Sequence, residues 1–284
     1  MDISFTKMHG CGNDYIYINC LEGIPFDPNK LSSVMSPRHF SVGGDGIVLI
    51  CASEVADFKM RMFNLDGSEG KMCGNAIRCV GKYVYENHLT DKLSLSIETL
   101  SGIKYLSLHK QGEKIKTVTV DMGKASLEAK DIPVLAKHRF INQPYEVDGV
   151  TYYGTAVSMG NPHVVIYQEE VKSLNLEKMG PNFENHPLFP ERVNTEFIKV
   201  IDKTHLEMRV WERGSGETFA CGTGACAATV SSIINGYCPF DTPIEVSLIG
   251  GVLTITVDKD LNVKMEGPAT KVYTGVFNYE CETE

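Results

Sequence analysis

The chain has 284 residues, 43% hydrophobic and 22% charged, with a formal net charge of -9. That composition excludes a disordered or fibrous chain, and the acidic balance without any Lys/Arg run excludes an electrostatic nucleic-acid surface. Nine cysteines, an odd number in a chain long enough to bury its own core, point to free thiols in a reducing cytoplasm rather than to a disulfide framework.

The opening run Met1 to Lys7 has no basic region followed by an apolar stretch, so no signal peptide is expected. No run of 18 apolar residues occurs, so no membrane span is expected. Runs rich in Val, Ile, Tyr, Phe and Thr predict strands at 2–8, 14–19, 46–51, 58–64, 93–99, 102–109 and 115–121. Later runs predict strands at 151–157, 163–168, 195–201, 205–211, 244–249, 252–257 and 262–266. A helix is predicted from Asp27 as N-cap, with Pro28 in its first turn, to a stop before Pro37. A second follows Cys73 to about Asn87, and a third follows Cys221 to about Asn235, with Gly236 as its stop. Both are apolar around much of their circumference, as helices wrapped by strands must be.

One offset recurs along the chain. Gly12-Asn13 matches Gly160-Asn161, Cys73-Gly74 matches Cys221-Gly222, Asn64 matches Glu212, and Gly46 matches Asn194, each pair 148 residues apart (221 − 73). Four coincidences at one spacing imply two diverged copies of a single α/β unit, related by a pseudo-two-fold axis.

The copies carry matching cysteine loops. The first runs Asn64-Leu65-Asp66-Gly67-Ser68-Glu69-Gly70-Lys71-Met72-Cys73-Gly74-Asn75, and the second Glu212-Arg213-Gly214-Ser215-Gly216-Glu217-Thr218-Phe219-Ala220-Cys221-Gly222-Thr223. In each, a strand ends, a Gly-rich turn follows, and the cysteine stands where a helix begins. The first N–H groups of a helix lack internal partners and attract anions. The same field favours thiolate over thiol. Two such loops suit racemisation at a carbon beside a carboxylate, which needs a base on one face, an acid on the other, and donors for the enolate-like charge. Thiolate and thiol then exchange roles between directions, so their titrations are coupled. Arg213 offers a bidentate partner for a further carboxylate. Glu212 and the amide oxygens of Asn64, Asn161 and Asn194 suit an ammonium. Cys20, Cys51, Cys79, Cys226, Cys238 and Cys281 are expected in the core, and Cys11 is close enough to Asn13 to line the site.

At these residues the sequence resembles the diaminopimelate epimerases. The resemblance is carried by His9-Gly10-Cys11-Gly12-Asn13-Asp14, Phe63-Asn64, Met72-Cys73-Gly74-Asn75 and Met159-Gly160-Asn161-Pro162-His163. It continues through the stretch Glu184 to Asn194 and through Glu212-Arg213-Gly214 to Cys221-Gly222-Thr223-Gly224-Ala225-Cys226-Ala227. It implies two similar halves, each a curled mixed β-sheet or barrel around a central helix, with the site in the cleft. The halves are expected over 1–122 and 123–268, with 269–284 packing on the first. It implies interconversion of LL- and meso-2,6-diaminopimelate for lysine and cell-wall synthesis, with no cofactor and no metal, in a cytoplasmic homodimer. By position, Cys73 and Cys221 match the acid/base pair, and His163 and Glu212 match the polar groups beside the thiols. Asn13, Asn64, Gly74, Asn75, Asn161, Asn194, Glu212, Arg213, Gly222 and Thr223 match substrate contacts. Some relatives carry Gln where Gly46 stands, so that contact is expected to be missing.

Three other readings compete. Proline racemases also use two cysteines, but they follow the first Cys-Gly with His, where this chain has Asn75. Gly222-Thr223-Gly224-Ala225-Cys226-Ala227 approximates a dinucleotide fingerprint, yet a loop separates it from the strand that should precede it directly. The pairs Cys73/Cys79 and Cys221/Cys226 lack the spacing of a zinc or redox motif.

Overall fold

The computed structural model describes residues 1–280, so Cys281 and the end of the expected 269–284 segment lie outside the described residues. The chain divides into two compact units, Met1–Val120 together with the chain from Gly267, and Asp121–Glu266.

The first unit is built from β1 (Asp2–Gly10), β2 (Asn13–Cys20), α1 (Pro28–Met35), β3 (Gly46–Cys51), β4 (Phe58–Asn64), β5 (Glu69–Gly70), α2 (Gly74–Glu86), β6 (Ser94–Thr99), β7 (Gly102–Gln111) and β8 (Lys114–Lys124), with β18 (Thr270–Asn278) returning to it. Its strands pair in the order β18-β1-β2-β3-β4-β6-β7-β8, parallel at β2–β3 and β4–β6 and antiparallel elsewhere. The second unit comprises β9 (Gln143–Val147), β10 (Val150–Ser158), β11 (Pro162–Tyr167), α3 (Leu176–Glu184), β12 (Asn194–Asp202), β13 (His205–Glu212), β14 (Gly216–Glu217), α4 (Gly222–Ile234), β15 (Ile244–Leu248), β16 (Gly251–Val257) and β17 (Asn262–Pro268). Its order, β9-β10-β11-β12-β13-β15-β16-β17, repeats the same pattern strand for strand, parallel at β11–β12 and β13–β15. The expectation of two similar mixed α/β halves holds, as open curled sheets rather than closed barrels.

Each sheet curls around one helix. On α2, Ile77, Cys79, Val80 and Val84 are fully buried, and on α4 Ala225, Cys226, Ala227, Ala228 and Val230 are. Burial of each Ile or Val side chain stabilises by roughly 1.5–3 kcal/mol. Small residues line α4, which lets β10, β11, β12, β15 and β16 pack against it.

Five of the strands and α-helices escaped the sequence reading. They are β9, β18, the two-residue strands β5 and β14, and α3, whose interior Pro181 reads as a break. Asn175 caps α3 by accepting from Lys178 N–H, as Asp27 caps α1 by accepting from Asn29 and Lys30 N–H. These two caps are again 148 residues apart (175 − 27).

The hairpin under each cysteine loop is held by a repeated ion pair. Arg61 on β4 grips Glu69 through Nε (2.7 Å) and a terminal nitrogen (2.9 Å). Arg209 on β13 grips Glu217 at the same two distances, 2.7 and 2.9 Å. Arg209 also donates to the carbonyls of Val171, Lys172 and Leu174, so its fork ties down a second loop.

Candidate active site

In the first unit, Cys73 is the N-cap of α2, and its sulfur accepts from Ala76 N–H at 3.5 Å. The Cys73 thiol donates to Asn13 Oδ1 at 3.2 Å. Asn13 opens β2 after a left-handed turn at Cys11 and Gly12 (φ 53° and 83°), a conformation that glycine adopts without strain. Charge behind Asn13 decides which end of its amide meets the sulfur. Asn13 Nδ2 donates to Asp45 at 2.7 Å, and Asp45 pairs with Arg38 at 2.7 Å. Arg38 and Lys7 also converge on Asp14. Burial raises the Asp14 carboxyl, and these two cations more than offset it, so its pKa ends below the ordinary value.

Behind the first turn of α2 lies Arg78, fully buried. It donates to the carbonyls of Gly74 (3.1 Å) and Pro268 (3.2 Å) and to Asn75 Oδ1 (2.9 Å). The Asn75 carbonyl is thereby turned inward. Asn64 closes β4, with its Nδ2 donating to Ser68 Oγ at 3.0 Å. Cys11 is buried against Arg78, and desolvation raises its thiol despite that guanidinium.

In the second unit, Cys221 caps α4, with Gly224 N–H at 3.3 Å and Thr223 Oγ1 at 3.5 Å from its sulfur. Its surroundings are charged. The Glu212 carboxylate, which accepts from Thr218, shares a hydrogen bond with the Cys221 thiol. Glu196 is fully buried on β12, and its Oε1 lies 2.7 Å from Nδ1 of the equally buried His163 on β11. The parallel register sets this contact: His163 pairs with Asn194, and Glu196 lies two residues further on the same face. His163 Nε2 faces Asn161 Oδ1 at 3.1 Å, and Asn161 Nδ2 donates to Thr223 Oγ1 at 3.3 Å. Burial, with the negative charges of Glu212 and Glu196, pushes the Cys221 thiol well above its ordinary value. Burial also raises Glu212, against the hydrogen bonds from Thr218 and Cys221 and the nearby His163.

The expected residues thus fall into two constellations, Asn13, Asn64, Cys73, Gly74 and Asn75 in one unit and Asn161, His163, Asn194, Glu212, Arg213, Cys221, Gly222 and Thr223 in the other. Asn194 is occupied within its own unit: Oδ1 accepts from Arg213 N–H (2.9 Å) and Nδ2 donates to Pro162 O (2.8 Å). The Arg213 guanidinium, half-buried, donates to Glu191 O at 2.9 Å. At Gly46 a Cβ would sit 2.0 Å from the Phe63 carbonyl oxygen, so this backbone leaves no room there for a side chain. Asp45, Arg78, Glu196 and Thr218 were missed from the sequence. Glu196 alone left a trace, a carboxylate inside the apolar run Thr195-Glu196-Phe197-Ile198. Among the described residues no group of three or more His, Cys, Asp or Glu is arranged to hold a metal ion, and no helix is long and apolar enough to cross a membrane.

The repeated α/β architecture is shared with solved amino-acid racemases and epimerases. The family model described as diaminopimelate epimerase matches residues 5–128 and 155–272. A diaminopimelate epimerase of Acetivibrio thermocellus is 55% identical over 95% of this chain and 97% of its own length. One of Methanococcus maripaludis is 52% identical over 96% of this chain and 99% of its own. The chain belongs to the diaminopimelate epimerase family. The fold extends further, to a hydroxyproline epimerase of Agrobacterium vitis solved with bound trans-4-hydroxy-L-proline, at 12% identity and a TM-score of 0.72 over 97% of this chain and 92% of that one. It extends also to a Bacillus anthracis phenazine biosynthesis protein of the PhzF family, at 20% identity and a TM-score of 0.73 over 98% of this chain and all of that one.

Proposed function

We propose that this protein is a cofactor-independent isomerase that interconverts LL- and meso-2,6-diaminopimelate, a step of lysine and peptidoglycan precursor synthesis. The observation that carries the reading is the pair of helix-capping thiols at equivalent positions of the repeat, in a chain that belongs to this family. One thiolate removes the Cα proton, and the other thiol delivers a proton to the opposite face. The open N-terminal turns of α2 and α4, beginning at Gly74 and Gly222, bind the adjacent carboxylate as negative charge builds on it. Asn13, Asn75, Asn161 and Thr223 supply directional hydrogen bonds around the reacting end. Asn64, Asn194, Glu212 and Arg213 supply them for the second amino-acid end, with Asn194 acting through the Arg213 backbone.

His163 and Glu212 assist Cys221. The raised thiol pKa beside two carboxylates suits Cys221 to rest as the protonated partner. The test is incubation with LL-diaminopimelate in deuterated water. Meso product carrying deuterium at one Cα is expected, and absence of both exchange and epimerisation would sink the reading.

The proposal extends to a cytoplasmic homodimer. Free thiols at Cys20, Cys51, Cys79, Cys221 and Cys238 support a reducing compartment. Val272, Tyr273 and Val276 leave an apolar stripe exposed on β18. A dimer mass by light scattering is expected in solution, and a monomer at micromolar concentration would refute this part.

A further inference from the structure

Glu196 is a fully buried carboxylate for which the two-thiol scheme has no task. Its Oε2 has no hydrogen-bond partner, so burial of this charge must be offset elsewhere. Two features do so. His163 Nδ1 lies 2.7 Å from Oε1. The first turn of α4 presses on the same oxygen: a Cβ on Gly224 would come within 2.7 Å of Glu196 Oε1 and 3.2 Å of Cys221 Sγ. The carboxylate therefore lies against a helix N-terminus, which stabilises negative charge.

The bonds beyond Glu196 have a direction. A carboxylate only accepts, so His163 Nδ1 carries a proton. Asn161 presents its carbonyl to Nε2, and a carbonyl only accepts, so Nε2 carries one too. Asn161 then donates through Nδ2 to Thr223 Oγ1. The Cys221 thiol gives its hydrogen to Glu212, so in the contact between Thr223 Oγ1 and Cys221 Sγ, 3.5 Å apart, the hydroxyl is the donor.

We propose that Glu196 is a positioning residue that holds His163 as an imidazolium and so sets the direction of a hydrogen-bond chain, His163 to Asn161 to Thr223, ending as an O–H donor to the Cys221 sulfur. The inference rests on the two-thiol reading. When Cys221 gives its proton to the substrate Cα, the S–H bond breaks, a C–H bond forms, and the electron pair stays on sulfur. That thiolate appears between the carboxylates of Glu212 and Glu196. The Thr223 hydrogen and the Gly224 N–H are the donors in place to receive it. The charged and titratable groups facing His163 are Glu196 from β12, Glu212 from β13 and Cys221 from the start of α4.

Two measurements on the substrate-free enzyme test the chain, independently of whether diaminopimelate is the substrate. Nitrogen-15 NMR of the histidine rings at neutral pH is expected to show His163 protonated at both nitrogens, and singly protonated in Glu196→Gln. A singly protonated His163 in the unmodified enzyme overturns the proposal. The second measurement is the pH profile of Cys221 alkylation by iodoacetamide. Thr223→Val is expected to move it to higher pH, because the thiolate loses a donor, and Thr223→Ser to restore it. An unmoved profile in Thr223→Val overturns the proposal even if Glu196→Gln fails to fold. In turnover, Thr223→Val is expected to lower kcat about ten- to a hundredfold, the size of one charge-assisted hydrogen bond. Thr223→Ser is expected to recover most of it, and an unchanged kcat in Thr223→Val counts against the chain. Failure of the deuterium exchange in the unmodified enzyme would instead strike the functional reading.

Discussion

Cys73 donates to an amide carbonyl, that of Asn13, whereas Cys221 stands beside two carboxylates, Glu212 and Glu196. The backbones of the two loops match: a β-hairpin pinned by an Arg–Glu fork, a Gly-rich turn, and a sulfur capping a 13-residue helix. Divergence lies in the charges. The first unit has Asp45, Asp14, Lys7, Arg38 and Arg78 behind its amides, and at the positions of Asp45 and Arg78 the second has Val193 and Cys226. The second has His163 and Glu196 where the first has Tyr15 and Val48. Duplication kept the backbone of the two loops, and side-chain drift gave the two sulfurs different electrostatic surroundings.

The largest effect is expected where the halves are alike. Cys73→Ala and Cys221→Ala should each lower epimerisation by roughly a thousandfold or more, the scale of a lost general acid or base. Circular dichroism should stay unchanged. Full activity in either variant would break the equivalence of the two loops.

Next come the hairpin forks. Arg209→Ala should destabilise by about 3 kcal/mol and Arg61→Ala by about 1 kcal/mol, read as urea midpoints at unchanged slope. The pairs are equally short, but the Arg209 and Glu217 side chains are 15% and 19% exposed against 30% and 25% for Arg61 and Glu69, where solvent screens more. Arg209 also leaves three carbonyls without their donor. Equal losses would mean that the tie to the Val171–Leu174 loop is worth nothing.

The smallest effect sharpens the electrostatic difference. Removing the negative charge in Glu212→Gln should ease ionisation of Cys221, whose thiol that charge holds up, so its alkylation profile should move to lower pH. The Cys73 profile should move less. A shift of Cys221 to higher pH would overturn this account, because the carboxylate both repels the thiolate and accepts the thiol hydrogen.

The sequence made the loops, their helices and the repeat legible, because each rests on local signals: a turn rich in glycine, an apolar helix behind it, and one offset at four places. What surrounds the sulfurs was less legible. Glu196 reaches His163 only because β11 and β12 run parallel in one register, and no local pattern encodes that pairing. Asp45 lies in a loop whose composition reads as a turn, and Arg78 on a helix whose surroundings come from distant strands. Helix α3 was hidden by Pro181 in its last turns, a position helices seldom tolerate. The terminal strand was hidden because Thr270 to Asn278 is largely exposed and lacks a clean apolar alternation.

That terminal strand has a consequence for synthesis. In the second unit the border strand β9 directly precedes its neighbour β10, so the ribosome delivers all of that unit's strands in one continuous stretch. In the first unit the same border is β18, which is made after all the strands of the second unit. The half translated first therefore waits with the edge of β1 unpaired while the half translated second emerges. The nascent chain is expected to mature in the reverse of the order in which it is read, and the open edge of β1 is where a chaperone or a second nascent copy would find its hold.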